Sequence, residues 1–267
     1  MVAISLHSVV PVRAEAREGA EQLTQMLFGE TCEVLEQQLR WNRVKLHSDG
    51  QEGWADYKMI TPMSPSEYQS YSEAYKTSAC VIYPMAYAVS ENNQQTIPLT
   101  AGTRLTNYKD GRFEVLGVGF RIDASMVAEK PLELNHQNLQ QVVRFFLNVP
   151  YLWGGKNAMG MDCSGFTQTI MGIFGRRLLR NASEQATQGK QVNSLKEVET
   201  GDLVFFDHDD GRISHVGIVL DNERVIHCSG RVKVEKLDEK GISSVEQSDP
   251  QHPQGIYTHH LVCIRRV

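Results

Sequence analysis

The sequence predicts an α+β fold, with an α+β domain at the rear preceded by two small all-β barrels. Short apolar runs separated by turn signals fill about the first 130 residues. Two segments with helical apolar spacing follow, and strand-like runs return after residue 200. Helices first and strands afterwards are typical of α+β domains, and 267 residues suffice for two or three small domains.

The front of the chain is predicted to hold one barrel at 1–62, a linker at 63–76 and a second barrel at 77–130. Ser48-Asp-Gly and Asp110-Gly are hairpin signals, because glycine supplies the positive φ that tight turns need. The linker is rich in Ser and Tyr and contains a proline. Strands this short and this closely spaced favour small barrels.

The rear domain is predicted for residues 131–267. Its first helix has apolar residues at helical spacing, namely Leu139, Val142, Val143, Phe146 and Leu147. A second helix is predicted from Cys163 to Phe174, because Gly175 stands where a C′ glycine belongs. The acidic run Asp207-His-Asp-Asp-Gly is predicted to be a loop joining two strands.

Composition excludes several classes of function. A net charge of −5 gives no bulk attraction to nucleic acid, and no apolar run is long enough to span a membrane. Five cysteines without a CxxC motif predict neither a disulfide framework nor a spaced zinc site. The first residues lack a cationic start and so favour a cytoplasmic location, although a trimmed leader would leave a periplasmic or secreted one open.

Cys163 is the first candidate for chemistry, because it lies where a glycine-containing loop becomes a helix. The partial positive charge of a helix N-terminus favours the thiolate, which is the nucleophilic form. Ser164 and Gly165 are small and would let a substrate approach the backbone. The alternative is a buried structural cysteine.

Two histidines favour the catalytic interpretation. His215 and His227 lie six residues on either side of Asp221, so a hairpin centred there would place them directly opposite each other. Opposed side chains have Cβ atoms roughly 4.5–5.5 Å apart, close enough for one imidazole to orient the other. Two alternatives stay open: satisfied core histidines, or a metal site formed with Cys163. His259-His260 is predicted to be an exposed, solvated pair.

Five motifs together resemble the NlpC/p60 family of cell-wall cysteine peptidases over residues 131–267. The motifs are Tyr151-Leu-Trp-Gly-Gly, Asp162-Cys-Ser-Gly-Phe, Gly201-Asp-Leu-Val-Phe-Phe, Ser214-His-Val-Gly-Ile and Val225-Ile-His-Cys-Ser-Gly. Gln25, Gly29-Glu30 and Gly53-Trp54 carry a weaker resemblance of the front half to bacterial SH3-like domains. Those domains occur in the subgroup of the family that cleaves free murein peptides.

The resemblance implies a papain-like peptidase domain behind two SH3-like barrels. The implied reaction is hydrolysis between γ-D-glutamate and a diamino acid, diaminopimelate or lysine, in small murein peptides with a free L-Ala. The implied context is cell-wall peptide recycling or turnover, by a monomer that needs no metal or organic cofactor. The alternatives are a thiol acyltransferase or amidase with the same triad, and a non-catalytic module that binds cell-wall fragments.

The resemblance also assigns catalytic roles. Cys163 is the implied nucleophile, His215 its base and His227 the residue that orients the base. Tyr151 is implied to stabilise the oxyanion together with the backbone amide of Cys163.

Substrate contacts are implied for eight residues. Trp153 would line the pocket, and Glu30 and Tyr57 would read the free amine of L-Ala. The remaining implied contacts are Asp162, Ser164, Asn181, Ala182 and Ser214.

Two of these positions depart from the subgroup, because Asn181 and Ala182 replace an Asp and a Ser that meet the L-Ala amine and the D-Glu carboxylate. Losing that carboxylate removes a charge-assisted hydrogen bond worth roughly 1.5–3 kcal/mol. Gln51 likewise replaces a tyrosine of the subgroup's turn.

Overall fold

The computed structural model describes residues 1–207, 211–247 and 255–267, which divide into two compact units. Met1–Leu132 and Trp153–Ala158 form the first unit, and Glu133–Leu152 and Met159–Val267 form the second. The first unit is built almost wholly of strands and the second mixes helices with one sheet, which confirms the predicted fold class. The segment Trp153–Ala158, expected in the rear domain, belongs to the first unit.

The first unit opens with a seven-stranded antiparallel sheet in the order β3-β2-β6-β5-β4-β1-β7. Its strands are β1 (Val2–Ile4), β2 (Val9–Arg13), β3 (Gln22–Leu27), β4 (Thr31–Gln38), β5 (Trp41–Leu46), β6 (Glu52–Asp56) and β7 (Thr61–Met63). A 3-10 turn, Tyr57–Met59, links the last two. The predicted hairpin turn between β5 and β6 is confirmed, with Gly50 at a φ of +80°.

Two smaller sheets follow in the same unit. Their strands are β8 (Ala79–Val81), β9 (Met85–Ser90), β10 (Thr96–Thr100), β11 (Arg104–Leu105), β12 (Arg112–Val115), β13 (Val118–Ile122) and β14 (Val127–Ala128), with a 3-10 turn at Ala124–Met126. Phe28 from the first block packs edge-on against Phe113 and Phe120, at centroid distances of 6.3 and 5.6 Å. The two strand-rich blocks therefore share apolar core. The short strand β15 (Lys156–Asn157) also belongs to this unit.

The segment predicted as a linker is a helix, α1 (Pro65–Lys76). Ser64 caps it, because its hydroxyl accepts from the Glu67 amide and the Glu67 carboxylate accepts from the Ser64 amide. The helix is anchored by Tyr71, which is buried and donates to the Gly29 carbonyl over 2.7 Å. The connection is thus an ordered part of the unit's core, and its capping residues were readable in the sequence.

The second unit is built on a seven-stranded sheet in the order β17-β23-β18-β19-β20-β21-β22. The strands are β17 (Lys190–Val192), β18 (Leu203–Asp207), β19 (His215–Asp221), β20 (Arg224–Ser229), β21 (Arg231–Asp238), β22 (Gly241–Ser244) and β23 (Ile256–Arg266), and a short strand, β16 (Gly160–Met161), precedes them. Because β22 also pairs with β23, the strands β18 to β23 form a closed ring. The acidic run 207–211 lies largely outside the described residues.

The described residues of this unit also form three helices, α2 (His136–Val143), α3 (Cys163–Ile173) and α4 (Ala182–Gln185), and 3-10 turns at Leu195–Glu197 and Val245–Gln247. The predicted helix at 163–174 is confirmed, and Gly175 follows it with a φ of +75°. The first helix ends at Val143 instead of reaching Leu147, which is exposed. Pro150 follows closely and Asn148 has a φ of +69°, so the chain turns away there.

Candidate active site

Helix α3 begins at Cys163 because Asp162 caps it. The Asp162 backbone is extended, and its Oδ1 accepts from the Gly165 amide over 2.6 Å. The helix packs against β19 and β20, the two strands that carry His215 and His227. Local capping and helix packing therefore bring the cysteine to the two histidine strands.

A buried ion pair fixes this cap. The side chain of Arg180 is only 1 % exposed. It donates two parallel hydrogen bonds to Asp162, from Nη1 to Oδ1 over 3.0 Å and from Nη2 to Oδ2 over 2.5 Å. Arg180 Nη1 also donates to the Ser164 hydroxyl over 2.8 Å. The first turn of the catalytic helix is therefore held by charge as well as by backbone hydrogen bonds.

The sulfur of Cys163 lies against the backbone on both sides of His215. It is 4.0 Å from the carbonyl oxygen of Ser214, and the amide of Val216 donates to it. Burial, followed by the negative charge of Asp162, raises the pKa of Cys163 to about 12, against the opposing effect of the Val216 and Ser164 amides. The expectation of a favoured thiolate was wrong, since burial outweighs the helix N-terminus. A base must take the proton.

Alkylation of Cys163 should follow this raised pKa. Its thiolate fraction rises tenfold with each pH unit, so iodoacetamide labelling is expected to accelerate about tenfold per unit between about pH 7 and pH 9. Peptide mass spectrometry measures the rate, with the partly exposed Cys263 as an internal reference. A rate that has already levelled off near neutral pH would contradict the buried-thiol environment.

The two histidines contact each other, but not in the predicted register. His227 is opposite Gly217, two residues beyond His215, because the hairpin turn lies at 222–223 and not at Asp221. A shift of two residues keeps both side chains on one face, so His215 Nε2 still lies 2.8 Å from His227 Nδ1 on a diagonal. A Cβ at Gly217 would lie 3.1 Å from the Cβ of His227, so glycine leaves room for this imidazole.

A carboxylate extends the pair on the next strand. Glu235 Oε2 lies 2.8 Å from His227 Nε2 and 3.1 Å from Lys233 Nζ. The His227 side chain is fully buried, and that of Glu235 is 7 % exposed. Burial lowers the pKa of His227 despite the neighbouring carboxylate, so His227 is a neutral imidazole near pH 7.

A third imidazole covers His215. The prediction that His259 is exposed was wrong: it is buried on β23, and its ring centroid lies 4.2 Å from that of His215 at an interplanar angle of 35°. Phe206 packs edge-on against His259, and Thr258 Oγ1 lies 2.8 Å from its Nδ1. The strand pairing of β23 with β18 brings this side chain to the site.

Tyr151 lies in the electrostatic field of the cysteine. Its amide donates to the Gly230 carbonyl over 2.9 Å, and it bridges to Met161, two residues before Cys163. Burial, then negative charge at Cys163 and Asp162, raises the pKa of the Tyr151 phenol. The phenol therefore stays protonated and can donate a hydrogen bond to a developing oxyanion.

The other predicted residues of this unit differ in how accessible they are. Ser164 is buried, and its carbonyl accepts from Thr167 Oγ1 and from Gln185 Nε2 over 2.9 and 3.1 Å. Ala182 is buried as the first residue of α4, whereas Ser214 is exposed. Asn181 precedes α4 and donates through Nδ2 to Glu184 Oε2 over 3.0 Å.

Three predicted substrate contacts lie in the first unit. Glu30 accepts from the Leu27 amide over 2.9 Å and pairs with Lys156 Nζ at 3.5 Å. Tyr57 is 52 % exposed, and Trp153 is 60 % exposed with Nε1 donating to Glu21 Oε1 over 2.7 Å. The Glu30 carboxylate thus already has a cation beside it. The roles of these three residues stay predictions.

The metal alternative has no geometric support in the described part of the chain. Among residues 1–207, 211–247 and 255–267, no three His, Cys, Asp or Glu side chains are arranged to hold a metal ion. Cys228, which follows His227, points to the opposite face, where its sulfur lies 3.1 Å from the Met161 carbonyl oxygen.

Sequence reasoning missed Arg180, Glu235 and His259. The alternation Arg231-Val-Lys-Val-Glu could have indicated Glu235, because it puts Lys233 and Glu235 on one face of the strand after His227. No local pattern indicates that Arg180 is buried or that His259 reaches His215. Both depend on contacts between elements far apart in the chain.

Comparison with known proteins gives two family matches. The NlpC/P60 family model matches residues 148–248, and the model of the bacterial dipeptidyl-peptidase Sh3 domain matches residues 12–57. No helix among the described residues is both long and apolar enough to cross a membrane.

Individual relatives agree with these matches. The gamma-D-glutamyl-L-lysine dipeptidyl-peptidase of Bacillus subtilis (strain 168) is 30 % identical over 76 % of this chain and 71 % of that protein. The protein of the same name from Bacillus cereus (strain ATCC 10987 / NRS 248) is 24 % identical over 76 % of this chain and 66 % of that protein. The crystal structure of an NlpC/P60 family protein from Bacillus cereus ATCC 10987 has the same fold, with a TM-score of 0.79, 19 % identity and coverage of 100 % and 99 %.

Proposed function

This chain belongs to the NlpC/P60 family and is a cysteine peptidase, and we propose that it hydrolyses the amide bond between γ-D-glutamate and a diamino acid in murein peptides. The observation that supports this most directly is the 2.8 Å contact between His215 Nε2 and His227 Nδ1, on the strands against which the Cys163 helix packs. A thiol nucleophile, a base and a group that orients the base are the parts that covalent amide hydrolysis needs.

Acylation begins when Cys163 Sγ attacks the carbonyl carbon of the γ-glutamyl amide and His215 takes the thiol proton. Because the pKa of Cys163 is raised to about 12, this proton leaves during the attack and not beforehand. The tetrahedral oxyanion accepts hydrogen bonds from the Tyr151 hydroxyl and from the Cys163 amide. The C–N bond then breaks, the departing amine takes the proton from His215, and a thioester remains.

Deacylation uses the same groups in reverse. His215 removes a proton from water as the water oxygen attacks the thioester carbonyl. The C–S bond breaks and the sulfur recovers its proton from His215, which releases the γ-glutamyl carboxylate. His227 holds the ring of His215 in one orientation through both steps.

The proposed substrates are small murein peptides that begin with a free L-Ala and carry lysine or diaminopimelate after D-Glu. The curated relatives are named for the γ-D-glutamyl-L-lysine bond, which supports this substrate class. At position 181 this chain has an amide where the subgroup has a carboxylate. The Asn181 amide donates a hydrogen bond through Nδ2 to Glu184 Oε2 over 3.0 Å. Recycling or turnover of cell-wall peptides is the proposed context.

Matched tripeptides test this proposal. L-Ala-γ-D-Glu-L-Lys and its diaminopimelate counterpart are expected to release the free diamino acid, which mass spectrometry detects. N-acetylation of L-Ala is expected to lower kcat/KM about 10–100-fold, because it removes the positive charge of the ammonium group, and a hydrogen bond from this charged donor is worth roughly 1.5–3 kcal/mol even to a neutral acceptor. Cleavage only between L-Ala and D-Glu, or no cleavage, would contradict the proposed bond. Equal rates for free and acetylated peptides would contradict recognition of the amine.

A further inference from the structure

Glu235 completes a line of polar side chains across three neighbouring strands. His215, His227 and Glu235 lie on one face of β19, β20 and β21, each displaced diagonally by two residues from the last. The atoms follow as His215 Nε2, His227 Nδ1, His227 Nε2 and Glu235 Oε2, with 2.8 Å at each of the two contacts. An ionised carboxylate accepts hydrogen bonds and has no proton to donate.

The direction of these bonds follows from the carboxylate. Burial is the largest single effect and opposes ionisation, but the hydrogen bonds from His227, Ser244 and Lys233, together with positive charge at His227, outweigh it and lower the pKa of Glu235 to about 2. Glu235 is therefore ionised near neutral pH and requires a proton on His227 Nε2. A neutral His227 then has a lone pair on Nδ1, which accepts from His215 Nε2–H. His215 Nδ1 is left without a proton.

We propose that Glu235 is a positioning residue that sets the tautomers of both histidines and leaves His215 Nδ1 as the basic nitrogen. Without this carboxylate, His227 can carry its proton on Nδ1 instead, and the bond to His215 Nε2–H is lost. A base held in the wrong tautomer is ineffective even when the geometry is intact. The inference rests on the proposed roles of Cys163 and His215.

Glu235 also stabilises the positive charge that forms on His215 during the reaction. Among the described residues, three charged or titratable groups besides His215 and His227 surround Glu235. Lys233 lies on the same strand as Glu235, and Glu246 lies 3.5 Å from Lys233. The ring centroid of His259 is 5.7 Å from that of His227. The positive charge of Lys233 opposes a cation on His215. Glu235 favours that cation, because its carboxylate contacts His227 directly. Removing its charge makes the imidazolium less stable.

The kinetic test is Glu235→Gln, which keeps the size of the side chain and removes its charge. We expect kcat to fall about 10–100-fold with KM within about twofold, as for an interaction that strengthens in the transition state. The acidic limb of the kcat/KM profile should move to lower pH, since the imidazolium loses its counter-charge. Glu246→Gln is the matched control: it is exposed, contacts Lys233 and should leave kcat and the pH profile unchanged.

Nitrogen-15 spectra of the histidine rings separate this inference from the proposed reaction. In the unaltered protein, His227 should show the Nε2–H tautomer and His215 the same tautomer, whereas Glu235→Gln should give mixed tautomers at His227. This readout needs no turnover, so it stands even if the peptide substrates are wrong. An Nδ1–H tautomer at His227 in the unaltered protein would overturn the inference, as would an unchanged kcat and pH profile in Glu235→Gln.

Discussion

Replacing Cys163 with alanine is expected to lower turnover of the tripeptide at least about 10⁴-fold. Alanine cannot form the thioester, and the remaining contacts only bind and polarise the substrate. The substitution removes one sulfur from a buried position, and Asp162 still caps the helix, so the fold should be retained. Steady-state release of the diamino acid measures turnover, and circular dichroism checks the fold.

The matched control is Cys263→Ala, which removes a partly exposed thiol from β23. Its turnover should equal that of the unaltered enzyme. Turnover of Cys163→Ala within about tenfold of the unaltered rate would remove the nucleophile from the proposal. A peptide aldehyde trapped as a covalent adduct provides a second check, because the added mass should map to Cys163 alone among the five cysteines.

The largest stability effect is expected for Arg180→Met. Removing one partner of a buried ion pair leaves the other charge uncompensated, which costs about 3–5 kcal/mol of the free energy of unfolding. Here the Asp162 carboxylate beside the Cys163 sulfur would lose the Arg180 cation that pairs with it. Thermal or urea unfolding followed by far-ultraviolet circular dichroism measures the loss.

Two controls make this test specific. Arg176→Met, at an exposed position of the same segment, should change stability by no more than about 0.5 kcal/mol. Combining Arg180→Met with Asp162→Asn removes both charges and keeps a residue that can cap α3, so part of the stability should return. Tryptophan fluorescence alone is unsuitable, because all three tryptophans lie in the first unit. Equal stability of Arg180→Met and the unaltered protein would contradict the role of the ion pair.

Local patterns were enough to predict the parts of the site that depend on nearby residues. The start of α3 at Cys163 and its end before Gly175 follow from capping chemistry within a few residues. The side-chain period of two in strands explains why His215 and His227 share a face even though the predicted register was wrong by two residues.

Other features depend on distant contacts and could not be predicted in this way. Burial raises the pKa of Cys163, and burial is a property of the packed domain. Arg180 is buried, and His259 contacts His215, only because elements far apart in the sequence pack against each other. The helix at 65–76 is a different case, since the Ser64 and Glu67 capping signal was present and the abundance of polar residues concealed it.

The ring of strands has a consequence for how this enzyme becomes active during synthesis. Strand β23 is the last of the described strands along the chain, yet it pairs with both β18 and β22. It also supplies the His259 imidazole that covers His215. The nascent chain can fold α3 and the hairpin of β19 and β20 earlier, but the ring stays open until residues 256–266 leave the ribosome. A polypeptide that stalls before that point therefore carries the nucleophile and both histidines without the strand that encloses them.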